Sequence, residues 1–235
     1  MKRRATAGVT LMELLIAVML LSLLSVGLLF ALRIGLNAYS KTQTRLMDNR
    51  RVAGAQRILE QELEGLVPVV AQCGVGMEGG GSKAQFFQGE PETMRLVSTF
   101  SLQGAWRGQA QILEIFVIPG AEGGVRLVVN ELPYEGPLAA GHLCFGPHKF
   151  PGASAGPNSF VLADKLAFCR FSYLDQPPDL NLAPAWFSSF VGPTWPQAIR
   201  IEMAPLKPDA GGLQPITVVA PIHVFRHPEI PYGDY

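Results

Sequence analysis

The sequence has little charge and no excess of either sign. Of its 235 residues, 19 are Lys or Arg and 19 are Asp or Glu, so the formal net charge is zero. A domain that binds nucleic acid needs a basic face to neutralise phosphates, and this balance argues against that class of partner. No internal repeat is visible, and the length is enough for one folded domain with a sizeable core.

Metal-ligating residues are scarce as well. The chain has 3 Cys and 4 His, and neither the group His142, Cys144 and His148 nor the pair His223 and His227 has the spacing of a structural zinc site. There is no D-x-D-x-D run of the kind that holds calcium. We therefore expect no metal and no cofactor.

Charge is absent altogether from the 19 residues of the segment 14–32. A helix of that length measures about 28 Å, close to the roughly 30 Å hydrocarbon core of a bilayer, so it is long enough to span a membrane. Residues 2–4 are basic, which places the amino end in the cytoplasm and the rest of the chain outside. Glu13 stands at the head of the span, where an unpaired carboxylate costs about 3 kcal/mol.

A secretory signal peptide has its cleavage site after the apolar stretch, whereas here the small residues Ala7 and Gly8 precede it. The run Ala7-Gly8-Val9-Thr10-Leu11-Met12-Glu13 resembles the class III leader of type IV prepilins and type II secretion pseudopilins. This resemblance implies cleavage by a prepilin peptidase between Gly8 and Val9, N-methylation of Val9, and an assembly role for Glu13 as the fifth mature residue. Val9 departs from the family, in which the first mature residue is most often Phe.

After Arg33 the apolar residues continue at steps of three and four until Pro68, with charged residues on the other faces. We therefore predict one helix of more than 50 residues, apolar all round in its first half and amphipathic over 33–67. The remainder, 68–235, is rich in Gly and Pro, of which the chain has 25 and 19, and these favour short strands with turns and loops.

The predicted strands of the region 68–235 are Thr93–Ser98, Ile112–Ile118, Val125–Glu131, Ser159–Ala163, Ala167–Tyr173, Ala198–Met203 and Ile216–Val224. Residues 119–124 join the second and third strands as a predicted hairpin. Residues 69–89 read as a Gly-rich connection, and the stretch between Asp175 and Pro196 as a long loop. The fold class is α+β, with the long helix packed on an antiparallel sheet.

Residues 171–203 indicate which type of pseudopilin the chain resembles. Phe171–Asp175, Trp186 and Trp195–Met203 look like the carboxy-terminal strands of the J-type minor pseudopilin of type II secretion, in which an aromatic strand and a tryptophan loop precede a Pro-x-Ala-hydrophobic strand. The resemblance implies the pseudopilin fold, with a leader at 1–8, a transmembrane and assembly helix at 9–32 and a periplasmic domain at 33–235.

The same resemblance implies a structural protein and not an enzyme, held by one span in the bacterial inner membrane with its C-terminal domain in the periplasm. Its implied partners are the I-, K- and H-type minor pseudopilins and the major pseudopilin, with which it would prime assembly at the pseudopilus tip for protein export. K-type pseudopilins usually lack the glutamate that Glu13 provides. A W-type minor pilin of a type IV pilus is the alternative.

An oxidising compartment would allow the cysteines Cys73, Cys144 and Cys169 to form any one of three single disulfides. Cys144 and Cys169 both lie in strand-like segments, and a bond between them across neighbouring strands would leave Cys73 free. The alternative is that the cysteines are buried thiols, which pack as small apolar groups. The spacing of the three residues does not decide between these alternatives.

Two further motifs suggest enzymes. Gly152–Gly156 is a G-x-S-x-G, and Asp164 and His223 follow Ser154 in the order of a hydrolase triad, but the flanking prolines leave no place for the strand-to-helix turn of a nucleophile elbow. Gly74–Gly79 matches G-x-G-x-x-G, yet a predicted helix precedes it and more glycines follow, so we expect a loop there. A membrane-anchored periplasmic hydrolase is accordingly only a remote alternative.

Overall fold

A computed structural model describes residues 10–74, 82–102, 106–121, 123–146, 149–177, 181–190, 195–206 and 215–223, without the side chains of 44–53, 106 and 107. The chain divides into two compact units, residues 1–48 and 49–235.

Helix α1, Leu11–Glu64, has 54 residues and confirms the prediction of a single helix of more than 50 residues. All of the stretch 11–43 is exposed, although it is apolar enough to span a membrane. Among the side chains of α1 that the structure describes, the first buried one is Ala55. The helix ends four residues before Pro68, and Gly65 follows it where a Cβ atom would lie 2.6 Å from Ser98 Oγ.

In addition to the end of α1, the described residues of the second unit form ten strands and one short helix. They are β1 (Val70–Cys73), β2 (Ser82–Gln85), β3 (Gln88–Gly89), β4 (Thr93–Ser101), β5 (Trp106–Pro119), β6 (Val125–Pro133), α2 (Pro137–Gly141), β7 (Phe160–Asp175), β8 (Ala185–Phe187), β9 (Ala198–Pro205) and β10 (Ile216–Pro221). Eight of the strands form one sheet in the order β10-β9-β7-β6-β5-β4-β3, with β8 paired to β7, while β1 and β2 form a separate ribbon. Every pair is antiparallel, which confirms the α+β class.

The large sheet curls on itself. Phe190 N donates to Gly89 O and Phe171 N donates to Pro91 O, both at 2.8 Å, so the segment around β3 reaches across to β7. Phe87 lies inside the curl with its ring edge-on to those of Tyr173, Phe190 and Trp195 at centroid distances of 5.4–5.8 Å. Aromatic pairs favour this edge-to-face arrangement, and the cluster fills the interior of the curl.

Strand β7 combines two strands that the sequence predicts separately. Its first part pairs with β6 and its second part with β9, and Lys165 lies between them with φ of 56°. Lys165 N donates to Asp164 Oδ1 at 2.7 Å, which supports this left-handed residue. Gly124 passes so close that a Cβ atom there would lie 2.2 Å from Leu166 O, so the approach needs a glycine.

Apolar side chains cover both faces of the sheet because successive residues of a strand point to opposite sides. The first core joins Leu59 and Leu63 of α1 to one face, which includes Leu96 of β4. The second core lies on the other face, where Val97 packs with the β1–β2 ribbon and the end of α2. Gly141 permits the last contact, since a Cβ atom there would lie 2.1 Å from Gln72 O.

Of the three disulfides that the sequence allows, the one between Cys144 and Cys169 does not form. Cys73 bonds to Cys144, with Cα atoms 4.9 Å apart, and Cys169 is a buried free thiol. Cys144 lies in the turn after α2, inside the second core, whereas Cys169 on β7 belongs to the first core, so the sheet separates the two. Burial, with a smaller contribution from the charge of Glu92, raises the pKa of Cys169 to about 12 and leaves its thiol unreactive.

The disulfide closes a loop with a sequence separation of 71 and should contribute about 2–4 kcal/mol to the free energy of unfolding. We expect Cys73→Ser/Cys144→Ser protein in detergent to unfold at lower urea concentration than the wild type and to be insensitive to reductant. Cys169→Ala is the matched control and should remain sensitive to reductant. A peptide that joins Cys144 to Cys169 in a non-reducing digest would contradict this connectivity.

Candidate functional site

Glu13 lies in the first turn of α1 and is the acidic residue of that turn. The backbone N–H of Glu13 donates to Thr10 Oγ1 at 3.3 Å and to Thr10 O at 3.1 Å, so Thr10 caps the helix. Thr10-x-x-Glu13 is the pattern of a capping box, a signal that the sequence analysis missed. Negative charge in the first turn also interacts favourably with the helix dipole, so Glu13 helps to begin the helix in addition to any role in assembly.

The segment after Glu13 has the features of a membrane helix. Leu15, Leu23 and Leu32 are 60–61% exposed, and every residue of the stretch 11–43 is exposed. The most apolar 18 consecutive residues of this stretch have a mean hydropathy of 2.8. The hydroxyls of Ser22 and Ser25 donate to main-chain carbonyls one turn earlier, each at 2.8 Å. Because these polar groups are satisfied within the helix, they can lie in lipid at little cost.

Residues 1–9 lie outside the described part of the chain, so the predicted cleavage and methylation sites Gly8 and Val9 have no structural account. The described helix begins two residues after the predicted cleavage point.

The segments of the J-type resemblance lie together in the sheet. Ser172 of β7 pairs with Arg200 of β9, and Arg200 Nε donates to Ser172 Oγ at 2.9 Å. The Arg200 guanidinium lies 4.4 Å from the ring centroid of Trp186, a cation–π contact on the half-exposed side of the sheet. Trp195 points the other way and is buried in the aromatic cluster.

Four polar side chains form a row across the second face of the sheet. Gln88, Arg95, Glu114 and Asn130 are successive cross-strand partners on β3, β4, β5 and β6. Arg95 is fully buried and donates to Gln88 Oε1 at 2.7 Å and twice to Glu114 Oε1, at 2.9 and 2.5 Å. Asn130 Nδ2 donates to Glu114 Oε2 at 2.9 Å. The buried charge is thereby paired, as burial requires.

The polar row holds the segment that carries the G-x-S-x-G motif. Arg95 Nη2 donates to Pro151 O at 3.2 Å, and Asn130 Nδ2 donates to Ser154 O at 3.0 Å. Residues 151–156 form neither strand nor helix, and the Asp164 carboxylate is bonded to Arg126 at 2.8 Å, which lowers the pKa of Asp164. The segment is thus a strap anchored through its carbonyls, with Ser154 exposed upon it.

The other motifs are only partly described. Cys144 is in the disulfide, so its sulfur is not available as a metal ligand beside His142, and His148 lies outside the described residues, as does His227. Within the described ranges, no cluster of three His, Cys, Asp or Glu side chains could hold a metal ion. Of the G-x-G-x-x-G motif only Gly74 is described, with φ of 76°.

Glu62 is a buried carboxyl that periodicity alone did not single out. It is fully buried near the end of α1, and among the described residues neither of its oxygens has a hydrogen-bond partner. Burial, and secondarily the charge of Glu131 on β6, raises the pKa of Glu62 to about 8, while Ser98 opposes the shift without the geometry of a hydrogen bond. Glu62 is therefore protonated at neutral pH.

The protonation of Glu62 makes stability depend on pH. Between its pKa of 4.5 when unfolded and about 8 when folded, the folded state binds the extra proton, so stability falls as pH rises through this window. Glu62→Gln removes this dependence, and we expect its gain in unfolding free energy to be larger at pH 8 than at pH 5, by up to about 3 kcal/mol.

Urea unfolding of the full chain in detergent at the two pH values measures the effect. Glu135→Gln, which changes an exposed carboxylate, is the matched control and should leave the pH dependence as it is. An equal effect of Glu62→Gln at pH 5 and pH 8 would show that Glu62 ionises normally.

Comparisons of the chain with protein-family models, with curated proteins and with solved structures give no match. The functional argument therefore depends on the leader pattern, the exposed helix and the sheet.

Proposed function

We propose that this chain is a minor pseudopilin of the J type: a non-enzymatic component of the type II secretion pseudopilus tip that assists the start of pseudopilus assembly. The observation that carries the proposal is α1 itself. Its first 33 residues, 11–43, are exposed and include an uncharged apolar stretch long enough to span a membrane, and its last turns supply Ala55, Leu59 and Leu63 to the core of an α+β domain. A membrane-anchored subunit with a folded domain outside the membrane needs both properties.

Glu13 is the proposed assembly residue. In lipid its carboxylate has a strong preference for a cation, because the low dielectric strengthens attraction and penalises an isolated charge. The methylated amine that cleavage would create at Val9 of a neighbouring subunit supplies that cation. Small residues of the span, including Ala17, Ser22 and Gly27, then allow close helix packing.

The disulfide supports the proposed location. Structural disulfides belong to oxidising compartments such as the periplasm, and Cys73–Cys144 lies in the second unit, beyond the span. The proposed topology is a single pass through the bacterial inner membrane, with the amino end in the cytoplasm and the pseudopilin-type domain in the periplasm.

A W-type minor pilin of a type IV pilus has the same leader and helix and is the alternative function. Genes for a secretin and for other pseudopilins beside this gene would favour the secretion system. Co-purification of the chain with I-, K- and H-type minor pseudopilins tests the proposed partners directly.

The first test of the proposed function is whether the leader is cleaved. Because Ala7 and Gly8 precede the span, mass spectrometry of the native protein should find an N-methylated terminus at Val9. Gly8→Leu should remain uncleaved, while Ala5→Ser, a small change elsewhere in the leader, should be processed normally. An intact Met1 in cells with an active prepilin peptidase would contradict the family assignment.

The second test is whether assembly depends on the Glu13 carboxylate. Glu13→Leu removes a charge that costs about 3 kcal/mol in the membrane, so the variant should remain anchored and cleaved. It should nevertheless lose most cross-linking to its partner pseudopilins and reduce secretion. Met19→Leu, which exchanges one exposed apolar residue of the span for another at a position with no proposed role, should retain both.

Glu13→Gln separates charge from helix capping. Gln serves in a capping box as Glu does, but it has no charge to attract an amine. We therefore expect Glu13→Gln to fail in assembly as Glu13→Leu does, whereas Glu13→Asp should retain part of the activity. Normal cross-linking and secretion by Glu13→Gln would show that the residue acts through capping, and the electrostatic mechanism would have to be abandoned.

A further inference from the structure

The exposed apolar surface of α1 does not end at Arg33. Ile34, Leu36 and Tyr39 follow and are 68%, 61% and 68% exposed. At 3.6 residues per turn, Ile34 lies about 160° from Leu36 and about 140° from Tyr39 around the helix axis. One protein surface covers one side of a helix, whereas lipid surrounds it. Apolar side chains on opposite sides therefore favour lipid as the surrounding medium.

The charge of this part of the helix has one sign. Between Glu13 and Asp48 the sequence contains Arg33, Lys41 and Arg45 and no acidic residue. Arg33 and Lys41 are both exposed. Positive side chains beside a span are attracted by the phosphates of anionic lipids.

The spacing of these residues fits the depth of a bilayer. A hydrocarbon core of about 30 Å takes roughly 20 helical residues, so a core that begins at Glu13 extends to about residue 33. The phosphates lie about 5 Å further out, near residue 37, midway between Arg33 and Lys41. Helical side chains lean toward the amino end, which brings Lys41 back toward that layer. Arg33 has a stem long enough to snorkel outward to it.

We propose that residues 33–41 form a lipid collar that binds anionic phospholipid head groups at the outer face of the membrane. Arg33 and Lys41 contact the phosphates, and Leu36 and Tyr39 lie in the head-group layer. The proposal rests on the membrane anchoring in the proposed function and is independent of assembly with partners. The lipid-embedded part of α1 is then longer than the segment 9–32 that the sequence predicts.

Cysteine labelling measures where the collar ends. Full-length protein with Leu36→Cys or Gln43→Cys is reconstituted in vesicles of phosphatidylcholine, with or without phosphatidylglycerol, and treated with a membrane-impermeant maleimide. Wild-type protein gives the background, because Cys73 and Cys144 are bonded and Cys169 is buried. Leu36→Cys should label more slowly than Gln43→Cys, and more slowly in anionic than in neutral vesicles by about fivefold.

Charge removal tests the phosphate contacts. In anionic vesicles, Arg33→Gln/Lys41→Gln in the Leu36→Cys protein should raise the labelling rate to the rate seen in neutral vesicles. Lys83→Gln, which removes an exposed cation from β2, should leave the rate in anionic vesicles unchanged. Equal labelling of Leu36→Cys and Gln43→Cys, or protection independent of lipid charge, would overturn the collar. Protection that persists in detergent would show a protein cover instead and also overturn it. Failure of the chain to sediment with vesicles would contradict the membrane anchor of the proposed function.

Discussion

Arg95 places a full positive charge in a layer from which water is excluded. Removing one partner of such a charge costs about 3–5 kcal/mol, so the strands around it must present Glu114, Gln88 and Asn130 at matching positions. A slip of one residue in any of these strands would turn a partner to the other face. The ion pair therefore selects the register of β3–β6, and that register turns Leu96 toward the core that α1 completes.

The burial of Arg95 also determines what covers the second face of the sheet. Its polar row needs a cover that offers carbonyl oxygens, and the strap at 151–156 provides them without secondary structure of its own. Beside the row, Phe150 lies with its ring centroid 5.1 Å from the Arg95 guanidinium and 5.5 Å from the ring of Phe86. Small residues and prolines suit such a strap because it packs through its backbone. The G-x-S-x-G motif within it has this structural explanation.

The sequence predicted the long elements because their signals are local. Periodicity and Pro68 predicted α1, and apolar runs between turns predicted the positions of β4, β5, β6, β9 and β10. The polar pair Asp164 and Lys165 looked like a break, yet the chain continues through it as β7 with one left-handed residue. The short strands β1, β2, β3 and β8 had no local signal, because their pairing is tertiary.

The disulfide pairing had no local signal either. Cys144 is brought to Cys73 by the packing of α2 on β1, a contact that depends on Gly141 lying against Gln72. No spacing in the sequence reveals that approach. At the candidate site the signals are local in the sequence, because the leader-like pattern and Glu13 are recognised from the order of the residues alone. Thr10 is likewise identifiable as a helix cap, because Glu13 follows it by three residues.

Glu62 and Glu13 lie on the same helix, and their surroundings give the two carboxyl groups different roles. Glu62 follows Leu59 by three residues, within the buried stripe, and the protein accommodates it by keeping its proton to about pH 8. Because Glu62 keeps its proton, its side chain is neutral and serves only as part of the core. Glu13 is exposed in the first turn of the same helix. A carboxylate placed in lipid can be neutralised by a cation from another molecule, and this dependence is the physical basis of the assembly role that we propose for Glu13.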